Sequence, residues 1–235
     1  MRVTVVMNRF PPHHAGGYGL RMGDVVRRLG ERGHRTSVIT STAGVDGPGV
    51  DADGVHRILS LHGEIHGARG ILRLARATRL DSDRLRRALR AERPDVVLVG
   101  NFLNLSSGLW SVLAEEPAPL VLDVSNTWLE DLAGSHGNWF RIWERPSTTR
   151  RAALAKGLLR AWVRCAPGLR VPTAWPGLGA TRIYGTARHV VASAEAVLSP
   201  DDPRPVVRGS GIDLDAFPFR PSERPLERLL YVGRL

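Results

Sequence analysis

The chain has 235 residues, 43% of them apolar, which suffices for one large α/β domain and excludes wholesale disorder. With 33 Lys+Arg against 23 Asp+Glu it carries a formal net charge of +10, a field suited to nucleic acid, an anionic membrane face or a phosphorylated small molecule. One cysteine, Cys165, excludes an internal disulfide, and no Cys/His group has zinc-ligand spacing.

Val3–Met7 is a short apolar run that ends in the loop Asn8–Gly17, the pattern of a buried parallel strand. It is too short for a signal-peptide core, and Pro11 and Pro12 follow it. From Tyr18 to Arg32, Leu20, Met22, Val25, Val26 and Leu29 recur at helical spacing, and Gly33 stops the helix. Arg35–Ser41 gives a second strand, completing a β-loop-α-β unit whose loop bears glycines. Thr42–Gly54 reads as a loop and Val55–Leu61 as a strand. Ile71–Ala91 is helical with a break expected near Asp81–Asp83, and Pro94 ends it. Asp95–Gly100 is a buried strand, Leu105–Glu115 a helix and Leu120–Val124 another strand.

Thr127–Arg145 is irregular and rich in aromatics: Trp128, Trp139, Phe140 and Trp143. Thr148–Cys165 reads as a helix, Pro167–Gly185 resists assignment, and His189–Ala192 and Arg204–Arg208 are candidate strands. Ser210–Phe219 is a connector rich in turn residues, and Leu229–Val232 opens a further strand. The fold class is therefore α/β, a Rossmann-like parallel sheet flanked by helices. No window approaches a membrane-spanning length, so the expected location is cytoplasmic, at most peripheral to the inner face of a membrane. The Arg-rich stretch Arg73–Arg93 together with Trp139–Trp143 is the expected contact with an anionic leaflet, against the alternative of a solvated basic face.

Ligands of open α/β sheets bind at the carboxyl ends of the strands, and three loops leave such ends. The first holds His13, His14, Gly16, Gly17 and Gly19 before a helix, where backbone N–H groups can meet a phosphate. Its spacing is not GxGxxG and no Walker lysine follows, so a plain tight turn stays open beside the anion site. The second, Gly100–Ser107, offers Asn101, Asn104, Ser106 and Ser107 to a polyhydroxylated ligand, or helix caps in the case of Asn104 and Ser106. The third, Asp123–Asp131, carries Asp123, Ser125, Asn126, Trp128 and Glu130, with Trp128 either a sugar platform or core. His34 and His56 read as structural, His62, His66 and His136 as solvated loop residues, and Cys165 as a small buried apolar group.

Three segments carry a resemblance. Pro11-Pro12-His13-His14-Ala15-Gly16-Gly17, followed by a helix and by Glu31-Arg32-Gly33-His34-Arg35-Thr36-Ser37-Val38, resembles the start of the retaining glycosyltransferases of family 4. Ser210-Gly211-Ile212-Asp213-Leu214-Asp215-Ala216-Phe217 is similar to the interdomain segment of that family, usually written NGID followed by a phenylalanine, with Ser210 in place of the asparagine. Leu229–Leu235 is similar to the first strand of the second domain.

The resemblance implies the GT-B architecture of two facing Rossmann-like domains. Residues 1–208 would be the N-terminal acceptor-side domain, 209–226 the connector, and 227–235 the start of a nucleotide-sugar-binding domain that the sequence stops short of. It implies transfer of a sugar from a nucleotide-sugar donor to an acceptor hydroxyl with retention, no metal or other cofactor, no nucleic acid partner, and no glycosyl-transfer activity from this stretch alone. Gly16, Gly17 and Arg234 match the positions that meet the donor diphosphate. His13, His14, Tyr18, Asn101, Ser125, Asn126 and Trp128 are the candidate acceptor contacts, and no catalytic side chain stands out. Family members often carry a histidine after the fifth strand, where this chain has Ser125. A nucleotide-sugar epimerase of the same architecture and a non-catalytic Rossmann-like binding module are the alternatives.

Overall fold

The computed structural model describes residues 1–13, 16–51, 53–132, 138–144, 146–147, 149–166, 169–171 and 179–211. Among them, eight strands form one sheet in the order β3-β4-β2-β1-β5-β6-β7-β8. These are β1 Arg2–Val6, β2 Arg35–Ser41, β3 Gly49–Val50, β4 Val55–Leu59, β5 Val96–Val99, β6 Leu120–Val124, β7 Arg182–Gly185 and β8 Val206–Val207. All pairs run parallel except β3 with β4, so the α/β parallel-sheet expectation holds. The centre is made of β-branched residues buried on both faces: Val3, Val5 and Val6 on β1, and Val97 and Val99 on β5.

The helices are α1 Gly17–Glu31, α2 Gly67–Glu92, α3 Trp110–Ala114 after a 3-10 turn at Ser107–Leu109, α4 Trp128–Asp131, α5 Trp139–Glu144, α6 Arg150–Cys165 and α7 Arg188–Glu195. The chain winds from β1 outward to β4 on one side, then crosses back through α2 to β5 on the other side of β1. The strand order therefore reverses between β1 and β5, the switch point at which open α/β sheets place a ligand crevice outside the carboxyl ends of the strands.

Several sequence expectations need correction. The break near Asp81–Asp83 is absent, and α2 runs unbroken for 26 residues. Asp81 is buried, and instead of ending the helix it accepts from the backbone N–H of Ser60 at 2.7 Å and faces Arg84 Nη1 at 3.1 Å. His189–Ala192 belongs to α7, not to a strand. Its valine pair suggested a strand, but Val190, Val191 and Ala194 bury one helical face instead. The strand of that region is β7, inside the stretch the sequence left unassigned.

The irregular aromatic stretch holds α4 and α5, and its aromatics are core: Trp128, Trp139, Phe140 and Trp143 are all buried. Trp139 and Trp143 thus do not supply the aromatic part of the expected leaflet contact. Their cluster includes Leu74, Ala75, Val163 and Leu169, with Trp139 Nε1 donating to Thr78 Oγ1 at 3.2 Å. Cys165, expected to be buried, is exposed, because α6 turns most of its surface to solvent. His14, His136, Arg234, the motif from Ile212 onward and the strand at Leu229–Val232 lie outside the described residues.

Candidate functional site

The crevice is closed at its base by hydrogen bonds between the loops leaving β1 and β5. Asn8 N donates to the Asn101 carbonyl at 2.7 Å, and Asn8 Nδ2 to the Leu103 carbonyl at 3.0 Å. Asn101 Oδ1 accepts from Leu103 N at 3.0 Å, which turns the β5 loop back on itself. On the far side, Arg57 is buried on β4 and reaches the β1 loop, donating to the carbonyls of Phe10 at 3.3 Å and Pro11 at 2.6 Å. The glycine loop is thus held from two sides by polar side chains.

At the end of that loop, Gly16 takes φ 81 and ψ −177 and starts α1 without any side-chain cap. That φ lies where L side chains are strained, so glycine is required there by backbone geometry. Gly17 differs: its φ is ordinary, it is exposed, and a Cβ built on it meets nothing within 4 Å. The first turn of α1 contains no acidic residue. Its first backbone N–H groups therefore carry the positive end of the helix dipole with no carboxylate of that turn competing for them.

Tyr18 and Arg21, one turn apart on α1, lead into a buried polar cluster at the end of β6. Tyr18 Oη accepts from Asn101 N at 3.0 Å and donates to the Asp123 carbonyl at 3.3 Å. Gly100 makes room for it, since a Cβ there would stand 2.7 Å from the phenol oxygen. Asp123, fully buried, accepts from Arg21 Nη2 at 2.5 Å and from Tyr184 Oη at 2.7 Å. Ser125 Oγ joins them, donating to Asp123 and accepting from Arg21. Burial and the Asp123 charge raise both the Tyr18 and Tyr184 phenols above their ordinary value, so both stay protonated donors. Burial alone would lower the Arg21 guanidinium, but its hydrogen bond and charge contact with Asp123 raise it on balance.

The sequence-derived residues are thus dispersed into different roles. Tyr18, Asn101 and Ser125 are brought together through the hydrogen bonds around Asp123, with Tyr18 one turn or less along α1 from Gly16 and Gly17. The ring of His13 lies over Gly44 in the loop after β2, where no Cβ would fit. Asn126 is exposed and its Oδ1 accepts from Trp128 N at 3.1 Å, closing the turn just before α4. Trp128 is core, its indole N–H donating to the Asp123 carbonyl at 3.0 Å, the second of the two placements the sequence left open.

Sequence reasoning did not single out Arg21, Tyr184 or Asn8. A polar residue near the end of the apolar run Leu120–Val124 was a usable signal for the Asp123 cluster. Tyr184 had no signal, because its strand was not recognised. Among the described residues no group of His, Cys, Asp and Glu could hold a metal ion.

A family model described as a glycosyl transferase 4-like domain matches residues 16–174. No curated protein matches the chain. Among solved structures, the chain is similar to a UDP-GlcNAc 2-epimerase from Neisseria meningitidis bound to UDP-GlcNAc, at 12% identity and TM-score 0.46, covering 89% of this chain and 46% of that one. It is similar to the glycotransferase of kitacinnamycin at 14% identity and TM-score 0.48, covering 97% and 55%. It is also similar to the catalytic domain of starch synthase IV from Arabidopsis thaliana bound to ADP and acarbose, at 14% identity and TM-score 0.49, covering 92% and 52%. The chain spans about half the length of each of these three.

Proposed function

This chain belongs to the glycosyl transferase 4-like family, and from that premise we propose that it forms the acceptor-side half of a two-domain enzyme moving a sugar from a nucleotide-sugar donor to an acceptor hydroxyl with retention. The observation that carries the reading is the start of α1. Gly16 has the positive φ of a tight approach, Gly17 is open to solvent, and no side chain caps or neutralises the first turn. A diphosphate seated there meets backbone N–H groups and the helix dipole, the donors that stabilise negative charge as the nucleoside diphosphate departs. Arg234 is proposed to pair with the same diphosphate.

Tyr18, Asn101 and Ser125 supply hydroxyl and amide groups along the crevice wall, a chemistry matched to a polyhydroxylated acceptor. His13, His14, Asn126 and Trp128 complete the sequence-derived set, although Trp128 presents no exposed ring surface here. Hydrogen bonds of Tyr18 and the Arg21–Asp123 pair fix the floor of the site. A single cysteine and the absence of any disulfide suit the cytoplasm.

The test is nuclear magnetic resonance on the chain, titrated with UDP, GDP and ADP. Shifts confined to the amides of Gly16 through Leu20 for at least one nucleotide support the reading. No movement of those amides at about 10 Kd, with saturation occurring elsewhere on the chain, would overturn the placement of the diphosphate.

A further inference from the structure

Helix α6 is attached to the body by little of its surface. Val163 is buried and Leu159 half-buried, whereas Leu154, Leu158 and Trp162 are 68%, 64% and 43% exposed. Those three stand at positions i, i+4 and i+8, a single stripe along the helix. Leu158 and Trp162 of the stripe border an apolar cavity of about 660 Å³ between α6, α5 and the start of α2, walled by Ile65, Ile71, Ile142 and Leu159. Leu72 of α2, 55% exposed, stands on its other rim. An exposed apolar patch of this extent marks an interaction surface rather than scattered surface leucines.

On α6 and the first half of α2 the charges have one sign. Helix α6 carries Arg150, Arg151, Lys156, Arg160 and Arg164 and no acidic residue. The first half of α2, Gly67–Leu80, carries Arg69, Arg73, Arg76 and Arg79, all exposed, and again no acidic residue. The neighbouring Glu64 is paired with His66 at 2.8 Å. Arg160 lies 5.6 Å from the centre of the Trp143 ring and remains exposed.

We propose that the α6–α2 face docks on an anionic bilayer, with Leu154, Leu158, Trp162 and Leu72 entering the boundary between headgroups and acyl chains and the surrounding arginines on the lipid phosphates. An amphipathic helix of this kind lies in the plane of the interface, and tryptophan favours that depth. Each cation near the surface adds to the attraction, and long arginine side chains reach headgroups while their stems cover apolar surface. Nucleic acid would match the charge but leaves the leucine stripe without a partner. A second copy would match the stripe but brings nine further cations to the same face. The face stands on its own geometry and does not depend on the transferase reading. Among the described residues no helix is long and apolar enough to cross the membrane.

The test uses the full chain and vesicles of phosphatidylcholine, alone or with about a third phosphatidylglycerol. Co-sedimentation should be at least about tenfold stronger on the anionic vesicles and should fall when salt rises from about 0.1 to 0.5 M. The double variant Leu154→Ser/Leu158→Ser should lose about tenfold or more of that binding with its circular dichroism and melting temperature unchanged. Should that variant not fold, Arg150→Gln/Arg164→Gln takes its place, with the same loss expected. Bromine-bearing acyl chains should quench tryptophan emission in the wild type and not in Trp162→Phe. Equal binding to both vesicles, or quenching that survives Trp162→Phe, would overturn the proposal. So would tighter binding to duplex DNA than to vesicles, or self-association in solution abolished by the leucine substitutions.

Discussion

Arg57 Nη2 donates to the carbonyl of Pro11 at 2.6 Å, so a buried side chain of β4 holds the loop that leaves β1. The same guanidinium reaches Phe10 O and pairs with Asp51 at 2.7 Å. Arg57→Met keeps the stem and removes all three contacts, leaving two carbonyls short of a donor. The expected cost is about 2–4 kcal/mol, from the lower part of the range of about 1–3 kcal/mol for each buried group left unpaired, because Pro11 is only half-buried. For a domain of this size that lowers the melting temperature by roughly 5–15 °C. A shift within about 2 °C would show that water replaces the guanidinium.

Gly16 and Gly17 should respond differently to alanine. At Gly16 the φ of 81 forces the new Cβ into strain, and stability falls by about 1 kcal/mol or more. At Gly17 the φ is ordinary and the space around a Cβ is empty, so Gly17→Ala leaves the melting temperature near native or slightly higher. In a protein that also carries the second domain, its cost should instead appear in transfer, as a loss of about tenfold or more in kcat/KM, because the methyl would stand where the proposed diphosphate approaches. Intact activity in Gly17→Ala with a lowered melting temperature would make this residue part of a turn and nothing more.

The Asp123 carboxylate is the hub of the cluster beneath the crevice. Asp123→Ala takes the buried carboxylate away from the Arg21 guanidinium and the Tyr184 hydroxyl and should cost about 3 kcal/mol, the low end for a buried pair because Arg21 is 20% exposed. Tyr184→Phe removes one donor and leaves the ion pair, for about 1 kcal/mol. Urea unfolding midpoints at constant m distinguish the two. Equal losses for both variants would mean that Arg21 finds solvent once Asp123 is gone, and that the pair contributes little.

The sheet was legible because its central strands are short β-branched runs closed by Gly, Pro or Asn, and Arg35–Ser41 and Leu120–Val124 match in both bounds. The start of α1 was legible for a similar reason, since a glycine pair before a periodic apolar stretch has few other uses. What failed did so where tertiary contacts override local pattern. Asp81 looks like a helix breaker in sequence, but the Ser60 amide and Arg84 donate to its carboxylate inside α2. Val190 and Val191 look like a strand, yet their burial faces β6 and β7 from a helix. The polar cluster was hidden because its members are 102 and 61 residues apart, a distance that no local spacing encodes.

His62 gives the chain a dependence on pH. It follows β4, its backbone N–H donates to the Asn104 carbonyl at 2.9 Å, and its Nε2 is buried with no hydrogen-bond partner. Burial lowers its pKa from 6.5 to about 4, so the folded chain holds it neutral where the unfolded chain takes up a proton. Stability is therefore full above about pH 6.5 and declines as pH falls towards 4, by up to about 1.4 kcal/mol per unit and on the order of 3 kcal/mol in all. His62→Leu removes the titrating group without leaving an acceptor unpaired, since Nε2 has no partner to lose. Unfolding free energies measured by urea at pH 7.5, 6.5, 5.5 and 4.5 should diverge between the two proteins, the wild type losing more at each step below about 6.5. The difference between the curves isolates His62 from every other group that titrates in this range. Parallel curves would mean that the imidazole reaches solvent and protonates in the folded state as readily as in the unfolded one.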